Sequence, residues 1–304
     1  MPPRMPAELR GGGRVDVVGL EPYAFRTRNL RESENAAHSR EGATARGFGG
    51  SIVGGAIVYG QMLKPLIERF GETWLERSRL EVRFKAPAYD DDRVEARFEA
   101  CAGPSGEPGV TVRARNPEGV ELIELSAHVR DTPPQTDELA RAEPAAPPAE
   151  RLEGTWDRMV LHRPLASYRF CVTPDEQRDY CEATGDALPF YLEGPRPPAH
   201  PGLVMAQGSR VVAHHFVMPF WIHASSTLDH RRVIRVGDEV ELRCVPIEKW
   251  KRGESDWVRF YQVYVVGGEP AIEVWKTSVI KVASRRPASS PPPPQPPAQP
   301  ASSP

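Results

Sequence analysis

The stretch "SENAAHSREGATARGFGGSIVGG" places one histidine, His38, at the end of a short polar loop and ahead of a glycine-rich helix start. A histidine with its ordinary pKa near neutrality can take a proton and give it back, so His38 is the natural centre of an acid/base site. Asn35, Ser33 and Glu34 share its loop. Serine can orient a water but is no proton acceptor near neutral pH. Glu34 has the right chemistry, but it is adjacent to Ser33, and neighbouring side chains on an extended loop point to opposite sides. The glycines beyond, Gly54 and Gly55, allow a ligand close to a helix N-terminus, whose unpaired N–H groups and positive dipole end suit a developing oxyanion. A tight turn with close helix–sheet contact would use the same glycines.

A second loop, "YCEATGDALPFYLE", carries Asp186 and Tyr191. Asp186 after a Thr-Gly pair can cap a turn as readily as it can serve as an acid. His214, His215 and His223 lie further on, and no histidine pair has H-x-x-x-H spacing backed by carboxylates, so no metal site is expected. A dinucleotide fingerprint fails because Ile52 stands where the third glycine belongs, and Val53 breaks a G-x-S-x-G elbow at Ser51.

The elements that must hold these residues are legible from the pattern of the chain. Residues Ile57, Tyr59, Met62, Leu63, Leu66, Ile67 and Phe70 recur at helical steps, with Pro65 expected to kink the helix. "WLERSRLEVRFKAPAY", "DRVEARFEAC", "GVTVRARN" and "GVELIELSAHVRD" then read as strands. The order repeats. "GLVMAQGSRVVAHHFVMPF" is helix-like, and "WIHASSTLDHRRVI", "DEVELRCVPIEKW", "DWVRFYQVYVV" and "PAIEVWKTSVIKV" read as strands. Trp74 and Trp221 fall at matching places, and "DDRVEARF" matches "GDEVELRC". A helix too apolar for water, followed by a long antiparallel sheet, is buried when the sheet curls around it. Two such units can join edge to edge and hide strand edges.

The expected division is a first unit over residues 1–131, a Pro/Ala-rich linker over 132–163, a second unit over 164–282 and a disordered Pro-rich tail over 283–304. Lys and Arg total 39 against 41 Asp and Glu, which leaves no positive surplus for nucleic acid. The longest apolar run, "IVGGAIVYG", is far short of the ~18–20 residues that cross a membrane. Four scattered cysteines without C-x-x-C spacing read as reduced thiols, so the cytoplasm is the expected location.

Both halves resemble MaoC-like acyl-thioester hydratases and dehydratases in the double hot-dog arrangement, an α+β fold. The resemblance rests on the first loop, similar to G-D-x-N-P-x-H followed by a phenylalanine and an I-x-H-G helix start. It rests also on the second loop, on "RVGDEVELR" and on the closing "VWKTSVIKV". It implies that the chain acts on a 2-enoyl or 3-hydroxyacyl thioester of coenzyme A or acyl carrier protein, with no cofactor, and it leaves a homodimer open. Matched residue by residue, His38 takes the catalytic histidine's place and Asn35 the asparagine's. Ala36 stands for the proline, and Ser33 for the catalytic aspartate. Gly54 stands where histidine is frequent, and Gly55 matches the glycine.

Phe48, Ile52, Tyr191 and His223 are expected on the substrate side together with Gly54, Gly55 and Asp186. In the second loop Asp186 and Pro189 match, while Leu188 and Tyr191 replace asparagine and histidine. The first half is therefore expected to be catalytic, and the second to hold the acyl chain with Val204, Met205, Val211, Val212 and Phe216. A pairing of Asp186 with His38 is a further arrangement. Two other functions stay open: a thioesterase relying on Glu34 or Asp186, and an acyl-binding partner subunit without activity. On the hydratase reading, Ser33→Asp raises the rate at which a 2-enoyl thioester is hydrated; an unchanged or lower rate shows the loop to be wrongly matched.

Overall fold

The computed structural model describes residues 19–30, 34–103 and 106–282. Ser33 and the tail over 283–304 lie outside these residues. The first half runs β1 (Tyr23–Arg26), α1 (Arg40–Thr44), α2 (Gly55–Met62), α3 (Lys64–Phe70), α4 (Glu72–Arg77), β2 (Ser78–Phe84), β3 (Arg93–Ala102), β4 (Pro108–Arg115) and β5 (Glu121–Val129). After β6 (Leu152–Glu153) the second half runs β7 (Tyr168–Phe170), α5 (Pro174–Thr184), α6 (Pro189–Leu192), α7 (Pro201–His215), β8 (Phe216–Val217), β9 (Ile222–His230), β10 (Val240–Arg252), β11 (Ser255–Val266) and β12 (Glu269–Lys281).

Ten strands form one antiparallel sheet in the order β1-β3-β4-β5-β2-β9-β12-β11-β10-β7. Reading outward from the centre, each half presents the same succession, and β3 and β10, which carry the matching "DRVEARF" and "EVELRC" motifs, occupy equivalent places. The double hot-dog fold is therefore present, with the two units joined along β2 and β9. Leu80 faces Leu228 across that seam, and Arg79 faces Asp229. The buried Asp229 carboxylate takes hydrogen bonds from Arg79 at 2.9 Å and Arg130 at 2.8 Å, so the charge is paired from the first half.

The helices explain the wrap. From Val58 to Met62 every residue of α2 is buried, and Leu63, Leu66, Ile67, Phe70 and Trp74 continue the buried series. Pro65 has no N–H with which to continue α2, so α2 ends at Met62 and α3 restarts at Lys64 with the proline in its first turn. Trp74 to Arg77, read from the sequence as the start of a strand, are helical in α4, and the strand begins at Ser78. The segment 132–163, expected as a Pro/Ala-rich linker, packs on the second half. Arg231 donates to the Pro134 carbonyl, Asp137 N–H to Glu273, Arg243 to the Ala140 carbonyl and Lys249 to the Trp156 carbonyl. Ala140 is buried against Tyr261, Val263 and Val265.

α2 and α7 cross through glycines. A Cβ on Gly60 would lie 2.8 Å from Gly202 Cα and 2.9 Å from His200 Cε1, closer than side chains pack. Gly60→Ala is expected to lower stability by about 1–3 kcal/mol, overpacking outweighing the gain in helix propensity of at most ~1 kcal/mol. Chemical denaturation measures the difference, and an unchanged midpoint would show that the helices can separate at no cost.

Candidate active site

His38 ends a single 3-10 turn, Ala36–His38, whose N-cap is Asn35. The Asn35 amide oxygen accepts the N–H groups of Ala37 at 3.1 Å and Trp221 at 3.3 Å, and its nitrogen donates to the Trp221 carbonyl at 2.9 Å. These bonds fix which way the amide points. Ser51 closes the other side, donating to the His38 carbonyl at 2.5 Å while accepting from Asn29 at 2.6 Å. Ile52 N–H donates to the Ala37 carbonyl. The loop is thus clamped to the approach of α2 and to the segment that leads into β9.

The ring of His38 is set by one bond. Nδ1 lies 2.7 Å from the Ile52 carbonyl oxygen, which can only accept, so Nδ1 carries the proton and Nε2 of the neutral ring is left unprotonated. Burial lowers the pKa of His38, partly opposed by the Ile52 bond. The ring is accordingly a neutral base at pH 7. Asn35 Nδ2 stands 3.5 Å from Nε2.

Beside the ring begins α2. Gly54 is its N-cap, and no side chain caps it. A Cβ on Gly54 would lie 3.7 Å from His38 Cε1, which puts the helix start next to the imidazole. Val58 to Met62 are enclosed, whereas Gly54 to Ile57 are only half-buried, so the terminal amides are the part of α2 left within reach. Gly55 has a different duty, since a Cβ there would fall 2.6 Å from the Phe84 ring. The Phe84 ring in turn packs on His223 with centroids 4.6 Å apart, and His223 Nε2 is 2.7 Å from Ser226 Oγ. His38, Asn35, Gly54, Gly55 and His223 are therefore brought together.

Other candidates are placed elsewhere. Glu34 is exposed and pairs with Arg151 at 3.2 Å. Phe48 and Ile52 are buried in a small cluster with Ala37, Ala43 and Phe220, and Ile52 serves the site through its backbone carbonyl. Asp186 does not meet His38. It lies in the second half, 1% exposed, with Oδ2 3.0 Å from Nε2 of the fully buried His200. His200 Nδ1 accepts the Gly202 N–H at 3.0 Å, so Nε2 carries the proton and donates to the carboxylate. Tyr191 is buried beneath His200, with ring centroids 4.5 Å apart.

His200 escaped the reading of the sequence because it sits outside the second loop. It stands at the start of α7, where Gly54 stands at the start of α2, and that equivalence was its available signal. Val204 and Met205 line a narrow apolar cavity with Tyr59, Leu75, Leu228 and Tyr264, while Val211, Val212 and Phe216 are packed in the core. Among the described residues no group of three or more His, Cys, Asp or Glu side chains could hold a metal ion, and no helix is long and apolar enough to cross a membrane.

The structure is similar to that of a protein from Chloroflexus aurantiacus described as a MaoC-domain dehydratase. The TM-score is 0.63 at 12% identity, covering 86% of this chain and 95% of that one. It is similar also to a MaoC-like dehydratase, with a TM-score of 0.55 at 13% identity over 85% and 97% of the two chains. A third similar structure is a Mycobacterium tuberculosis protein described as having a double hot-dog fold and as essential for survival during infection. Its TM-score is 0.55 at 12% identity over 86% and 96% of the chains. No protein-family model and no curated protein sequence matches the chain.

The His38 geometry makes its own forecast. In an NMR titration the His38 ring protonates with a midpoint below the 6.5 of an ordinary histidine, because burial opposes the charged form. A midpoint at or above 6.5 would mean that a negative group faces the ring.

Proposed function

We propose that the protein hydrates 2-enoyl thioesters, and in reverse dehydrates 3-hydroxyacyl thioesters, of coenzyme A or acyl carrier protein at the His38 site. The observation that carries this is the Nδ1 bond to the Ile52 carbonyl, which leaves an unprotonated Nε2 beside the uncapped start of α2. The thioester carbonyl rests on the N–H groups at Gly54 and Gly55. His38 Nε2 takes a proton from water as the water oxygen bonds to C3 of the acyl group, and the C2–C3 π electrons move toward the carbonyl oxygen. The helix N-terminus steadies the resulting enolate. The imidazolium then returns its proton to C2, so one residue serves as base and acid and no second carboxyl group is required. Asn35 is a positioning residue, because its amide is committed to Trp221 and to the turn that carries His38.

Thioester hydrolysis through a carboxylate-activated water is less well supported. Glu34 is drawn to Arg151 at the surface and Asp186 to His200 in the interior.

The test uses crotonyl-CoA, followed by loss of the conjugated thioester, and a saturated acyl-CoA, followed by release of free thiol. His38→Ala is expected to lower kcat/KM for hydration by about 10²-fold or more. Hydration unaffected by this change, or thiol release as the main activity, would contradict the reading.

A further inference from the structure

We propose that the acyl end of this site is built for a negatively charged group: a 2-enoyl thioester whose distal end carries a carboxylate, with Lys276 as the counter-ion. The proposal rests on the His38 reading for the position of the thioester.

Lys276 lies on β12, in a run whose neighbours Ile272, Val274 and Ile280 belong to the main hydrophobic core, yet its side chain is 2% exposed. Its ammonium donates to Ser209 Oγ on α7 at 2.8 Å and sits 5.0 Å from the centroid of the Trp221 ring. Among the described residues no carboxylate lies within ion-pair distance of it. Three other buried charges are treated differently: Asp229 has Arg79 and Arg130, Glu273 has Arg231, and Asp256 has Lys251. A buried amine left without an anion keeps its charge only at a cost, and an anion that arrives from outside would relieve that cost.

Three further features mark the place as a polar cluster rather than a misplaced surface lysine. Ser278, two residues along the same face of β12, has a buried hydroxyl with no partner, and the buried Gln262 side-chain oxygen on β11 also has none. The cluster adjoins the His38 site: Trp221 clasps Asn35 with its backbone while its ring covers Lys276, and His223, whose ring meets Phe84 beneath Gly55, is paired in register with Ser278. His223 and Ser209 are half-buried. The groups that titrate around Lys276 are His223 on β9, which burial keeps neutral, and Cys244 on β10, whose thiol burial holds protonated.

A phosphate of the carrier is a poorer occupant. It is bulky and strongly hydrated, whereas this single ammonium is enclosed on the helix side of the sheet, bonded to Ser209 of α7. Burial holds the Lys276 amine near 7, so in the free protein it is partly neutral at pH 7. A bound carboxylate would restore its charge, and binding would take up a proton.

Two substrates that differ only in a terminal carboxylate for a methyl group test this: the mono-CoA thioester of 2-hexenedioic acid and 2-hexenoyl-CoA. The wild-type chain is expected to prefer the first by at least tenfold in kcat/KM, and Lys276→Met to lose that preference while still hydrating the second. Binding of the saturated pair, adipoyl-CoA and hexanoyl-CoA, is read by calorimetry in buffers of different ionisation enthalpy. Proton uptake is expected with adipoyl-CoA alone and not in Lys276→Met. Tighter, Lys276-dependent binding of adipoyl-CoA without hydration of either enoyl substrate would uphold the anion site and sink the hydratase reading. Equal hydration of both substrates, or a preference unchanged in Lys276→Met, would overturn the anion site and leave the hydratase reading standing.

Folding of the variant is checked by its own signature. Unfolded lysine binds its proton up to about 10.5 and the buried one only to about 7, so the wild type gains stability relative to Lys276→Met as pH rises between those values. The variant should be the more stable of the two at pH 6, and the gap should close toward pH 10.

Discussion

Everything in this structure follows from one constraint: α2 is apolar on nearly every side and cannot remain in water. One half of the sheet cannot surround it alone, so α7 of the second half covers the side that β2 to β5 leave open. The two helices meet so closely at Gly60 and Gly202 that a single added methyl would collide with backbone. Burial is then complete for the last five residues of α2 and incomplete only at its first turn. The part of the helix that is left half-buried is thus its N-terminal turn, and the His38 loop is fastened beside it.

On the proposed reading, the fastening explains how a single histidine would suffice as the base. Its tautomer is set by a backbone carbonyl, not by a carboxylate, so the ring is neither charged by a nearby anion nor free to turn. The second half solved the same local problem differently. There the equivalent helix start has a histidine, and the loop has an aspartate, but the two bond to each other inside the protein and the histidine caps its own helix. The duplicated loop has become a lock that holds α5, α6 and α7 together, with Gln177 tying the Tyr191 and Pro198 carbonyls and the His200 N–H into the same knot.

The repeat, the helix-then-strands order and the joined sheets were legible because burial imposes periodicity, and two copies of one pattern reinforce each other. α4 was misread because "WLERSRLEVRF" runs on without a break, and only the tertiary position of Trp74 separates helix from strand. α5 was passed over although Thr173 and Glu176 form a capping box. The order of segment 132–163 was hidden for another reason: its backbone is held by Arg231, Glu273, Arg243 and Lys249, all about a hundred residues away. At the site, His38, Asn35 and Gly54 could be named because the loop resembles the hydratase motif. The clamps Trp221 and Ser51, and the buried amine of Lys276, could not, because each matters through a neighbour distant in sequence.

The central claim is that a thioester docks at the start of α2 with its reacting carbons under His38. A crystal structure with a bound 3-hydroxyacyl-CoA tests it most directly. The account predicts the thioester oxygen within hydrogen-bond distance of the Gly54 or Gly55 N–H and the 3-hydroxyl against His38 Nε2. A ligand seated instead against the Asp186–His200 pair, with the His38 ring untouched, would contradict it.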